Sequence, residues 1–150
     1  MSYSLTAVKA SILVVALAMT GTAVARDDHN MYPLEDALNT PAAQEKLNKD
    51  IKLYFGKQKS PKATKQLGEW KTNKKTNAFN KTDKEACEWT FLSAVLELQE
   101  RALKEGGNAV VNIVSNYKNQ ETSSETEYMC GNGALMAGVA LKGTVIRTGK

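Results

Sequence analysis

Three side chains in this sequence carry reactive chemistry of their own, the thiols of Cys87 and Cys130 and the imidazole of His29. A pair of thiols can close a disulfide, help hold a metal, or supply a nucleophile beside a base. Structural zinc takes four ligands, and two cysteines with a single histidine fall short of that set. His29 cannot serve at once as a catalytic base and as part of a metal shell, and no Gly-Xaa-Ser-Xaa-Gly elbow accompanies it. The glycines at 106, 107, 131, 133, 138 and 143 are never followed by the Lys and Ser/Thr pair of a phosphate-binding loop, which excludes ATP hydrolysis of that class. Gly131-Asn132-Gly133 reads instead as a tight turn. Carboxylates remain for acid–base work, and Glu127 with Asp50, brought together only by folding, is the pair considered. Glu97 and Arg101, four residues apart, read as a surface ion pair. The expectation is a noncatalytic protein with no cofactor and no metal.

What two thiols do depends on the compartment, and the first 25 residues speak to it. A start with one cation, Lys9, is followed by an apolar run from Ala10 to Ala18 and then by small residues, with Ala23 and Ala25 before Arg26. That layout predicts a cleavable signal peptide cut ahead of Arg26. The competing reading, a retained anchor, needs an apolar run of about 20 residues. In an oxidising compartment, paired cysteines are most simply a disulfide, so Cys87 and Cys130 are expected to be joined. The product is expected to be periplasmic or secreted and not membrane-spanning, with residues 26–150 as one domain.

Cleavage would remove one of 20 basic residues and none of 16 acidic ones, leaving +3. That charge is uneven. Nine lysines against two acids lie between Lys57 and Lys84, so the remainder is net acidic. Lys57, Lys59, Lys62, Lys65, Lys71, Lys74 and Lys75 could meet an envelope protein or an anionic envelope component. The alternative is that they solvate loops and guard an edge strand against pairing. Trp70 among lysines, with a pI near 9.0, also fits a single-strand nucleic-acid binder. Export argues against nucleic acid as the partner.

Periodicity supplies the elements that position these groups. Arg26 to Met31 reads as a loose start and Pro33 to Leu38 as one or two helical turns. Thr40-Pro41 opens a short helix through Leu47. Ile51, Leu53 and Phe55 alternate with Lys52 and Tyr54 as a strand ending at Gly56. Lys65 to Thr72 is a second strand weakened by Gly68, and Asn73 to Lys81 a polar loop. Thr82 with Glu85 forms a capping box for the strongest helix. Cys87, Phe91, Val95, Leu98 and Ala102 share one face of it, widened by Leu92, Leu96 and Leu103. Gly106-Gly107 ends it, and the β-branched run Asn108 to Tyr117 reads as a central strand. Lys118 to Thr126, without apolar anchors, is expected to be mobile. Glu127 to Cys130 begins another strand, and Ala134 to Arg147, interrupted by Gly138 and Gly143, is a long one with a bend or bulge. The fold class is α+β: a small antiparallel or mixed sheet of about four strands with one long helix across a face.

The segment LQERALKEGGNAVVNIVSNY, residues 98 to 117, and the closing MAGVALKGTVIR, 136 to 147, resemble the superfamily of small bacterial proteins that includes YbjQ and the envelope stress sensor RcsF. The chain from 26 onward also resembles small secreted proteobacterial proteins that often carry the label "excinuclease ATPase subunit". The matching stretches are YPLEDAL at 32 to 38, LYFG at 53 to 56, the Cys87 helix and EYMCGNGALMAGVALKG at 127 to 143. The nucleotide loops and zinc cysteines of that label have no counterpart here. The RcsF likeness implies an RcsF/YbjQ-like fold and a bond between a helix cysteine, Cys87, and a cysteine before the last strand, Cys130. RcsF's second cysteine pair and lipidated terminus are absent from this sequence. The YbjQ likeness implies a ring-shaped assembly, hence a homo-oligomer. Intact mass of the exported protein without reductant should correspond to a chain starting at Arg26 and lacking two hydrogens; a full-length mass with both thiols free would contradict export.

Overall fold

The computed structural model describes Gly21 and residues 24–149. The leader of residues 1–20, and Ala23 of the cleavage motif, lie outside the described residues; Ala25 and Arg26 are exposed and irregular. The elements in chain order are β1 (Asp28–Pro33), α1 (Leu34–Leu38), α2 (Pro41–Lys46), β2 (Lys52–Phe55), β3 (Ala63–Asn77), α3 (Asp83–Lys104), β4 (Ala109–Ser115), a 3-10 turn (Tyr117–Asn119), β5 (Glu127–Asn132) and β6 (Met136–Thr148). The protein is α+β, a mixed sheet with one long helix against it. Among the described residues no helix is long and apolar enough to cross a membrane.

The sheet has six strands rather than about four. Only β1 is a strand with no expected counterpart; β3 is an expected strand that runs longer, and both additions come from polar sequence. β1 occupies the stretch expected to be loose, because Asp28 to Pro33 pairs antiparallel with Asn132 to Glu127 and so satisfies an otherwise bare edge of β5. β3 runs to Asn77, through the stretch expected to be a loop, because its backbone stays paired with β6 from Ala63↔Thr148 to Asn77↔Met136. Neither strand carries an apolar alternation, so backbone pairing decides both. β2 is parallel to β4, and β6 is antiparallel to β3, β4 and β5.

The bulges that go with β6 are not in β6 itself. The extra residues lie in its partners, between Gln66 and Gly68 of β3 and between Val111 and Val114 of β4, where Asn112 has φ +52°. The glycines of β6 and β5 serve close approach instead. Gly131 and Gly138 are cross-strand partners, and the Tyr117 ring lies over both, so that a Cβ on Gly131 would fall 2.1 Å from its Oη. Lys118 and Asn119 adopt left-handed φ of 51° and 61° to hold the ring there. That ring, the Ser115–Thr122 bridge and the Lys142–Glu121 ion pair tie down the stretch from 117 to 126, which carries more anchors than its composition predicts. Gly131 and Asn132 belong to β5, and the tight turn follows at Gly133, whose N–H donates to the Met136 carbonyl.

On the other face α3 supplies the core. Thr82 and Glu85 form the capping box in full, and Cys87, Phe91, Val95, Leu98 and Ala102 are all buried. Leu103, expected to widen that face, is exposed, lying one position beyond the contact stripe. Gln99 is buried among apolar neighbours and pins the segment before β2, accepting from Asn48 N–H and donating to the Asn48 and Ile51 carbonyls. Near the start of the helix, Cys87 is joined to Cys130 of β5, with Cα atoms 5.9 Å apart. Asn132, also buried, donates to Cys87 Sγ and accepts from Asn30 and Tyr32 of β1, so the bridge is enclosed by a satisfied polar node. The bond spans 43 positions of sequence and constrains the unfolded chain accordingly. Cys87→Ala/Cys130→Ala should lose about 2 to 5 kcal/mol in urea unfolding; a loss within error of zero would mean that the helix docks without the staple.

Candidate functional site

Along one edge β6 pairs with β3; along the other it is shared, by β5 near its start and by β4 further on. β5 carries β1 outward and β4 carries β2, so two wings diverge from one strand and leave a notch. Leu34 N–H donates to the Thr126 carbonyl at 2.8 Å on one side of it. On the other, Gly56 (φ +56°) comes so close to Ser124 that a Cβ would sit 2.8 Å from its carbonyl oxygen. Gln58 crosses between them, accepting from Phe55 N–H and donating to the Glu125 carbonyl, both at 2.8 Å.

The cleft so enclosed has a volume of about 580 Å³. Its floor is Leu34, Leu38, Leu53 and Phe55, and Glu35, Glu125 and Glu127 stand at its lining. Behind the floor Phe55 packs on Phe91, 5.9 Å between centroids, and Phe91 stacks on Tyr128 at 4.2 Å. An apolar floor with three carboxylates suits a cationic amphipathic group by desolvation and charge. Of the two acids considered for catalysis, Glu127 lines this cleft while Asp50 sits in the exposed turn before β2, its N–H on Asn48 Oδ1. His29 is near the far end of β1 from the cleft, opposite Gly131 in register, edge-on to Tyr117 and 3.4 Å from Asp27. The cleft therefore gathers carboxylates without the imidazole. Among the described residues no group of three or more His, Cys, Asp or Glu is arranged to hold a metal.

The second candidate surface is the lysine-rich stretch, which the fold divides. Lys57, Lys59 and Lys62 lie in the exposed connection from β2 to β3. Within β3 the alternation sends Lys74 to the α3 side, where it pairs with Glu97 at 2.7 Å. Lys71 and Lys75 point to the other face, opposite Lys142 and Gly138, and Lys65 is opposite Arg147. Trp70, inside the stretch, is half-buried under the Arg101 guanidinium, 4.1 Å from the ring centroid, rather than offered as a stacking platform. What unites the lysines is the strand that carries most of them: β3 has 15 residues and pairs only with β6, so its other edge is open among the described residues. Glu127 stands out in the sequence only as a possible catalytic partner of Asp50, and Glu35, Glu125 and the apolar floor do not stand out at all, since nothing local marks residues 34, 53 and 125 as neighbours.

Comparison with protein-family models, with curated proteins and with solved structures finds no match to this chain.

The aromatic stack behind the cleft makes a pH-dependent prediction. Burial pushes the Tyr128 phenol well above its usual range, and burial likewise raises Tyr32. A phenol held neutral in the fold but free to ionise in the unfolded chain costs nothing below about pH 9, and stability falls as pH rises past about 10. The Tyr128 hydroxyl is also buried without a hydrogen-bond partner among the described residues. Tyr128→Phe should therefore gain about 1 kcal/mol at neutral pH and show a shallower alkaline loss, by up to about 1.4 kcal/mol per pH unit, in urea unfolding at neutral and alkaline pH. An unchanged alkaline slope would contradict the assignment.

Proposed function

We propose that the protein is a noncatalytic binding module of the cell envelope, periplasmic or secreted after cleavage before Arg26, that takes up an extended acidic segment of a partner along the free edge of β3. The observation that carries this reading is the length of that edge, a 15-residue strand that among the described residues pairs on one side only. Unpaired N–H and C=O groups in a row are a template for an added strand. The side chains on it select the partner: β3 carries Lys65, Lys71, Lys74 and Lys75 against the single acid Glu69. Cations in such a row oppose pairing with a second copy of the same strand and favour an acidic one. One device thus serves both protection and recognition.

Kinship with the RcsF/YbjQ superfamily belongs to the same proposal. It is supported by the coincidence of the resembling segments with the α3–β4 unit and with β6, and by the helix-to-strand bridge between Cys87 and Cys130. A homo-oligomer, which the YbjQ likeness implies, would have to use an edge other than the lysine-bearing one, and β1 and β2 are the shorter edges left for it.

A labelled 12-residue peptide of alternating Glu and Val tests the reading against the same peptide N-methylated at every second amide. Binding followed by fluorescence anisotropy should weaken with salt, weaken at least about fivefold in Lys71→Glu/Lys75→Glu, and vanish on N-methylation. Equal binding of the N-methylated peptide, or none of either, would remove strand addition as the mode.

A further inference from the structure

Where β3 ends and β6 begins, Phe79, Leu135 and Met136 stand in water, 62%, 62% and 47% exposed. They sit on adjoining segments. Ala78 N–H donates to the Leu135 carbonyl at 2.8 Å, and Asn77 is the cross-strand partner of Met136, so the residue after β3 and the turn before β6 are neighbours. The N-terminal segment reaches the fold at this same turn, since a Cβ on Gly133 would lie 3.1 Å from the Met136 carbonyl oxygen and 3.4 Å from that of Arg26.

Charge at this tip is positive where it is uncommitted. Lys81 Nζ donates to the Asn77 carbonyl at 3.0 Å, and Lys75 stands two residues up the strand. Among the described residues neither has a carboxylate within 4.0 Å, whereas Arg26 is held by Asp28 and Asp83, and Lys84 by Asp36. Large apolar side chains grouped in water point to a surface that covers them, and an apolar cap rimmed by lysines is complementary to the boundary between anionic headgroups and acyl chains. A second copy placed tip to tip would bring the lysines of both copies together. We propose that this tip seats on an anionic bilayer surface, with Phe79, Leu135 and Met136 entering at headgroup depth and Lys75 and Lys81 against the lipid phosphates.

The open edge of β3 would then rise away from the membrane for about 45 Å of strand. Seating does not depend on strand addition, and either can fail alone.

Flotation of the purified protein with vesicles of phosphatidylcholine, with and without one third phosphatidylglycerol, tests the proposal. All variants carry the same N-terminus, so a retained leader would raise every value together. The wild type should float preferentially with the anionic vesicles. Phe79→Ser/Leu135→Ser should lower the bound fraction by about tenfold, and Lys75→Glu/Lys81→Glu should lower it several-fold and remove the preference for phosphatidylglycerol. Leu103→Ser, an exposed apolar residue in the last turn of α3, should float as the wild type does. The proposal is overturned if the wild type shows no preference for anionic vesicles, if both tip variants float like wild type, or if Leu103→Ser loses as much. A dimer detected by light scattering and abolished by Phe79→Ser/Leu135→Ser would assign the tip to a second copy instead.

Discussion

A β-strand has two hydrogen-bonding edges, and β6 has three neighbours. Because β3 takes one edge from end to end, β4 and β5 must divide the other. Most of the architecture follows from that division. The sheet splits into two wings, the split makes the cleft, and the residues that absorb the mismatch in register fall in β3 and β4 rather than in β6. Asn112, held at a left-handed φ, marks the site where β4 takes its extra residue against both β2 and β6.

A strand that central needs both faces filled, and the two are filled differently. On one side α3 lays an apolar stripe along β6 and is fixed to β5 through Cys87–Cys130, with Asn132 closing the polar gap beside the sulfurs. The bridge thus connects the helix to the wing that shares least of β6, the two residue pairs Gly131↔Gly138 and Asn132↔Ala137. On the other side Tyr117 covers the glycine pair of that same short junction. The weakest seam in the sheet is therefore clamped from both faces.

The sequence made the helix plain and the strands less so, for a physical reason. Thr82, Glu85 and the spacing from Cys87 to Ala102 signal α3 because capping and burial act within a few residues of one another. The β-branched run after Gly107 marks β4 in the same way. β1 and the second half of β3 carry Asp28, His29, Asn30, Asn73 and Lys75, residues whose types say loop, and only pairing with β5 and β6 makes them strands. The cleft was legible only at Glu127, because its other walls come from α1, β2 and the 125 region. Trp70 shows the converse: its place among lysines fits a stacking surface, a reading set aside on the expectation of export, and in the fold Arg101 from α3 covers its ring.

Among the described residues β3 pairs along one edge only, with Lys81 capping the outward carbonyl of Asn77 at its end, and the proposed acidic guest requires the rest of that edge to be open. Amide hydrogen exchange of the isolated protein, read residue by residue along β3, tests this most directly. Protection should alternate, slow for amides directed at β6 and fast for those directed outward. Uniform protection from Ala63 to Asn77 would mean that the edge is already covered, leaving no place for the guest.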